Sequence, residues 1–235
     1  AEREIDTICI STSLESVDEV IALASNNDRI WGMVGVHPSD VTGDVVVRLP
    51  ELLAGWDEAI VSNRKIIGIG EIGLDYHHDQ SVSAANAQKA ALRQILSLAH
   101  EKDYPVSFHC RDAYGDLLTI LADYPGLRGV MHCFSGNQAQ ADSFLALGLH
   151  LSFTAIITYP KNVGLQEVVK AAPLDKMLIE TDCPFLPPQD KRGQRNDPAG
   201  VIAVAEKIAE LKNIAPAEVA EATTLAAEKL FKLNS

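Results

Sequence analysis

Two patterns of apolar and polar positions alternate along the chain. Short apolar or β-branched runs occur at about 6–10, 31–36, 65–70, 105–109, 128–132, 149–153 and 177–180, each of strand length. Between them, apolar residues recur every three or four positions at about 14–25, 44–61, 82–102, 112–122, 137–147 and 162–171, which predicts helices, and two further helical segments, 197–211 and 216–232, close the sequence. Strands that are apolar on both faces and separated by helices predict an α/β fold with a parallel sheet covered by helices. No Pro/Gly/Ser-rich linker, charge block or repeat divides residues 1–235, so a single domain is expected. Doubly wound sheets use about five or six such units, whereas seven come within one of a TIM-type (β/α)8 barrel. The sequence opens without Met, in what reads as a helix end running straight into a strand. The expectation is therefore a barrel that lacks its first strand and helix at the N-terminus, with 216–232 as its last helix.

Charge narrows the function without deciding it. Lys and Arg number 20 against 32 Asp and Glu, a formal net charge of −12, so the average surface repels a phosphate backbone, which argues against non-specific coating of nucleic acid. A small site can still hold a phosphodiester where metal ions or clustered Arg side chains reverse the local field. Cys9, Cys110, Cys133 and Cys183 are widely spaced, with no CxxC pair, which argues against a disulfide framework or a zinc knuckle and fits a reducing cytoplasm. No apolar run approaches the roughly 20 residues of a membrane span, and the first residues lack the basic and apolar regions of a secretory signal. A cytoplasmic protein with no membrane partner is expected.

Ionisable residues gather at the C-terminal ends of the expected strands: His37 after WGMVGV, Glu71 after IIGIG, His109 after PVSF, His132 after GVM and Asp182 after MLIET. That end carries the chemistry in barrels of this type. Three imidazoles and two carboxylates form a ligand set suited to Zn, Mn or a similar divalent ion. A lone His at a strand end is more often a hydrogen-bonded structural residue, but five ionisable groups at equivalent positions favour a site. In GEIGLDY (70–76), glycines around Glu71 permit close backbone approach, and its two oxygens can bridge two ions; a buried carboxylate paired with Arg is the alternative. In HCRD (109–112), His109 and Arg111 share a strand face, a metal ligand beside a phosphate-binding guanidinium, unless Arg111 pairs with Asp112 or Asp116. In HCFSG (132–136), Ser135 reads as a helix cap rather than a nucleophile. Asp182 in ETDCPFL (180–186) can hold a metal with one oxygen and take a proton from water with the other, or can cap a turn. Strand alternation turns Cys110 and Cys133 away from the histidines and into packing. His77 and His78 read as solvated loop residues, His100 and His150 as structural, and Trp31 and Trp56 as packing residues.

GVHP (35–38), GEIGLDY (70–76), PVSFHCR (105–111), HCFSG (132–136), ETDCPFL (180–186) and RND-P (195–198) together resemble, in order and spacing, the TatD family of metal-dependent deoxyribonucleases in the amidohydrolase-like TIM-barrel superfamily. The resemblance covers almost the whole chain. It implies two divalent ions (Mg, Mn or Zn), with Glu71 bridging both, His109 and His132 holding one, and Asp182 binding the other and positioning the attacking water. Glu71 and Asp182 would be the catalytic pair, His37 and Arg111 would contact the scissile phosphate, and Arg195 and Asn196 would lie in a loop at the mouth. The implied reaction is phosphodiester hydrolysis, 3′–5′ and exonucleolytic, on single-stranded DNA ends. One departure stands out: many family members carry an H-x-H pair on the first strand, and none precedes His37, so one metal subsite is expected to be incomplete in this chain. Two other readings compete. An amidohydrolase acting on a small molecule would bridge its metals with a carboxylated Lys on the fourth strand, where this sequence has Glu71. A metal-poor barrel that only binds a partner is the other.

Overall fold

The computed structural model describes residues 5–233. The helix end expected ahead of the first strand falls mostly on residues 1–4, outside the described residues. The chain divides into two compact units, residues 6–129 and residues 130–233 joined by Ile5.

In the first unit, β1 (Thr7–Ile10), β2 (Ile30–Val34), β3 (Ile66–Asp75) and β4 (Val106–Arg111) pair in parallel in chain order. Helices α1 (Ser16–Ser25), α2 (Gly43–Ser62) and α3 (Val82–Lys102) link them, and α4 (Tyr114–Leu121) follows β4. α3 shows how local sequence sets an element. The Ser81 hydroxyl accepts the Ala84 N–H at its start, Asp103 closes it in the left-handed region, and Ala91, Leu92, Ile95, Leu96 and Ala99 are buried at helical spacing. Met33, Ile69, Leu74, Leu96, Val106 and Phe108 are wholly enclosed, with Trp56 of α2 almost so. Trp31 is half-buried beneath the Lys65 ammonium, 4.1 Å from its ring centroid.

β3 departs from expectation. The IIGIG run continues through EIGLD for ten residues, with a register shift against β4 between Ile69 and Ile72. Gly73, at φ 148°, lies so close to β4 that a Cβ there would overlap the His109 carbonyl oxygen. Glu71 thus lies within the strand and not at its end, a correction to the expected placement.

In the second unit, β5 (Gly129–Met131), β6 (His150–Phe153) and β7 (Met177–Ile179) again pair in parallel in chain order. Helices α5 (Gln138–Ala146) and α6 (Val163–Ala171) connect them, and α7 (Val201–Lys212) and α8 (Pro216–Phe231) end the unit. Phe134 meets Phe144 and Phe153 edge-on, with centroids 6.4 Å apart in both pairs, and all three rings are buried. The cap of α5 is Asn137 in a reciprocal capping box with Gln140, so Ser135 does not take the capping role expected for it. No helix among the described residues is long and apolar enough to cross a membrane.

Candidate functional site

In the first unit, four side chains converge where β2, β3 and β4 run side by side. His109 projects from β4 toward β3, with Nδ1 2.8 Å from Glu71 Oε1 and Nε2 3.0 Å from Asp75 Oδ2. His37 enters from the turn after β2. Its Nδ1 accepts the Ser39 N–H at 3.2 Å, which directs Nε2 to within 3.2 Å of His109 Nδ1 and 3.6 Å of Glu71 Oε1. Three of the expected residues, His37, Glu71 and His109, are therefore brought together. Arg111 ends β4, two residues beyond His109, and is exposed. Asp112 is engaged by His77, and Asp116 by Tyr76 and Lys89.

Asp75 was not anticipated as part of this cluster. It is 0 % exposed, and its carboxylate is fully engaged: Oδ1 accepts the backbone N–H groups of His77 and His78, while Oδ2 lies 2.8 Å from His78 Nδ1 as well as near His109. Burial alone pushes this carboxyl up. The backbone and side chain of His78, the His77 N–H and His109 outweigh it and bring the pKa down to about 2, so Asp75 is a carboxylate at neutral pH. The backbone of Asp75 is clamped by Gln88 on the buried face of α3, whose amide accepts the Asp75 N–H at 2.8 Å and donates to its carbonyl at 2.9 Å. A sequence signal for Asp75 did exist. Glu71, Gly73 and Asp75 alternate along one extended run, which places both carboxylates on one strand face. His77 and His78, expected to be solvated only, are exposed but tied to Asp112 and Asp75.

This donor set suits a divalent cation. His37, Asp75 and His109 each offer an atom within 4.8 Å of the others. A neutral imidazole carries one N–H, yet His109 faces a carboxylate at each ring nitrogen, so the cluster calls for a further cation, a proton or a metal ion. Burial, and then neighbouring His109, hold the His37 imidazole below the ordinary histidine value against the pull of Glu71, Asp75 and Asp40; it is neutral at pH 7, and with Nδ1 accepting from Ser39 its hydrogen stands on Nε2.

The second unit repeats the motif of a histidine backed by a carboxylate. His132 follows β5 directly, with Nδ1 3.0 Å from Glu180, whose Oε1 also accepts the Cys133 N–H at 2.5 Å. His132 Nε2 then faces Asp182 Oδ1 at 3.8 Å. Glu180 is the second residue that sequence reasoning missed, although it stands two positions before Asp182. Asp182 lies three residues beyond β7 with φ 54°. Asn196 is buried, and its amide donates to the carbonyls of Thr181, Phe185 and Leu186, so it braces the loop that carries Asp182. Arg195, beside it, is exposed. Cys133 sits past the end of β5 at φ 44°, where strand alternation no longer applies, and its sulfur lies 3.5 Å from Thr154 Oγ1. For Cys110, inside β4, burial pushes the thiol up to about 12, in keeping with a packing role.

Comparison with known proteins adds an independent line. The sequence pattern described as TatD related DNase matches residues 1–232. The chain belongs to the TatD-related DNase family. It is 36% identical to the metal-dependent hydrolase YabD of Bacillus subtilis (strain 168), over 100% of this chain and 90% of that protein. It is 33% identical to the 3′–5′ ssDNA/RNA exonuclease TatD of Citrobacter rodentium (strain ICC168), over 95% of this chain and 85% of that protein. Among solved structures, the TatD homologue YJJV from Escherichia coli K12 matches with a TM-score of 0.86 and 31% identity, covering 97% of this chain and 86% of that one. The fold class is thus the α/β, TIM-barrel type of TatD proteins. As a TatD-family member, the chain is a metal-dependent hydrolase.

Proposed function

We propose that this TatD-family hydrolase is a phosphodiesterase that removes nucleotides from the 3′ ends of single-stranded DNA or RNA, acting as one catalytic domain with two divalent ions of the Mg, Mn or Zn kind. The observation that carries the reading is His109 held between Glu71 and Asp75, with neutral His37 alongside. In it, an oriented imidazole nitrogen and a carboxylate oxygen point at the same place, beside a residue able to meet a phosphate.

When bound, such ions supply Lewis-acid polarisation of the phosphodiester and an acidified water nucleophile. The chain's own residues divide the remaining work. Asp75 fixes the ring of His109 through Nε2, and Glu180 fixes His132 through Nδ1, which leaves the other nitrogen of each ring to serve as a ligand. Glu71 would offer its carboxylate to hold the ions beside His109. In the second unit, Asp182 would take a proton from water at a carboxylate oxygen; in the first, His37 and the exposed Arg111 guanidinium would meet a phosphate. Arg195 approaches the substrate from the loop that Asn196 holds in place.

The small-molecule amidohydrolase reading lacks its bridging residue. Lys65 stands just ahead of β3, donates to the Asp28 carbonyl at 2.6 Å and lies over Trp31, away from Glu71 on the same strand. The reading is tested by incubating the chain and Mn²⁺ with single-stranded DNA and RNA labelled at either end. Progressive release of 3′-label as mononucleotides supports it. Hydrolysis confined to cyclic amides or lactones would replace it with the amidohydrolase reading.

A further inference from the structure

The second unit carries a basic, aromatic cavity on the same segment as Asp182. It encloses about 320 Å³ and is lined by Tyr159, Pro160, Lys161, Asn162, Gln189 and Arg192. The Arg192 guanidinium lies over the Tyr159 ring, 4.7 Å from its centroid. In a chain of net charge −12, residues 159–162 and 182–197 hold four basic residues, Lys161, Lys191, Arg192 and Arg195, against three acids, Asp182, Asp190 and Asp197. All four basic side chains are exposed, and Phe185 in the same segment is 67 % exposed. Exposed basic side chains thus gather where flat apolar surface is also offered.

The wall of this cavity is built rather than loose. Tyr159 Oη donates to the Pro187 carbonyl at 2.8 Å, the Gln189 N–H reaches Thr158 Oγ1 at 2.9 Å, and Asn196 ties the far end of the loop back to the Thr181 carbonyl at 3.0 Å. Thr181 is the neighbour of Asp182. The aromatic and basic lining is thereby fixed to the segment that presents the candidate catalytic carboxylate, and the ordering cost of binding is partly met in advance.

We infer that the Tyr159–Arg192 cavity is a nucleotide subsite: it takes a base and its phosphate from the single strand, upstream of the bond being cut. This rests on the nuclease reading above and specifies where that substrate is gripped. A stacked ring and guanidinium accept any base, and Lys161 and Arg192 meet backbone phosphates, which is the chemistry of sequence-tolerant single-strand binding. An acidic protein thereby acquires affinity for a polyanion without a basic surface overall.

The test is fluorescence anisotropy of a 5′-fluorescein oligothymidylate of about 12 nucleotides, with phosphorothioate 3′ linkages, on the full chain in Mn²⁺. Arg192→Ala and Tyr159→Leu are expected to raise Kd about tenfold each. Tyr159→Phe, which keeps the ring and loses the bond to Pro187, should stay within about twofold of wild type. The double variant Lys161→Ala/Arg192→Ala should lower the slope of log Kd against log salt by about 1.4, two phosphates' worth. Lys207→Ala, a control on α7, should change neither. Arg192 is exposed, so its variant remains informative if Tyr159→Leu fails to fold. Binding by wild type with unchanged Kd and slope in the Arg192 variants would overturn the subsite and leave the nuclease reading standing. Failure of wild type both to bind and to degrade the unmodified oligonucleotide would overturn the two together.

Discussion

Asp75→Asn replaces one carboxylate oxygen by an amide and changes almost no volume, so its effect isolates the orienting role assigned to Asp75. The amide oxygen can still accept the His77 and His78 N–H groups that Oδ1 accepts at 2.8 and 3.1 Å. The NH2 group then faces His78 Nδ1 and His109 Nε2, where Oδ2 now lies at 2.8 and 3.0 Å, and it donates where the carboxylate accepted. His109 must move its hydrogen to Nδ1, the nitrogen 2.8 Å from Glu71, and the lone pair that would serve a cation there is lost. Replacing a carboxylate behind a metal-binding histidine costs about 10- to 100-fold in metal affinity or activity. Lost charge-assisted bonds cost about 1.5–3 kcal/mol of stability. The assay is Mn²⁺ titration by calorimetry alongside phosphodiester turnover, with a denaturant melt to show that the variant is folded. Wild-type metal affinity and turnover in a folded Asp75→Asn variant would refute the orienting role.

Other consequences follow from the same geometry. Gln88→Leu strips both partners from the buried Asp75 peptide group and should destabilise the fold by about 2–5 kcal/mol, read as a fall in the urea midpoint with unchanged slope. The Tyr104 hydroxyl donates to Asp57 at 2.6 Å and, with Lys102, holds that carboxyl below its ordinary value; the stabilisation is therefore present above about pH 4 and is lost as pH falls through the lower folded value. Tyr104→Phe should accordingly cost about 1 kcal/mol at pH 7 and converge on wild type in acid, as followed by melts across pH. Alkylation with iodoacetamide, read by mass spectrometry, should modify exposed Cys183 well before Cys110, whose thiol burial pushes up to about 12.

The elements were legible because period and punctuation agreed. Ser81 and Asp103 bracket α3 at the residues the pattern chose, and the Asn137–Gln140 box was present in the sequence even though Ser135 was read as the cap. The clustering of His37, Glu71 and His109, and of His132 with Asp182, could be anticipated because each stands at or near the end of an expected strand. The supporting residues were harder to find. Asp75 was hidden because the expected strand stopped at residue 70, while backbone pairing to β4 extends it through Asp75. Glu180 lies where a strand is giving way to a turn, and its role appears only once His132 is seen against it. Gln88 carries no sequence signal at all: a polar residue on a helix face faces water by default, and only the buried backbone N–H and C=O of Asp75, both of which it satisfies, explain its burial.

The most direct test of the account is Mn²⁺-dependent release of 3′-label from single-stranded DNA by the purified chain, with Glu71→Ala prepared in parallel and checked for an unchanged fold. The account predicts mononucleotide release by wild type, abolished by chelation, and a loss of about a hundredfold or more in the variant, since Glu71 is the carboxylate that joins His37 and His109. Release at wild-type rate by a folded Glu71→Ala variant would contradict it.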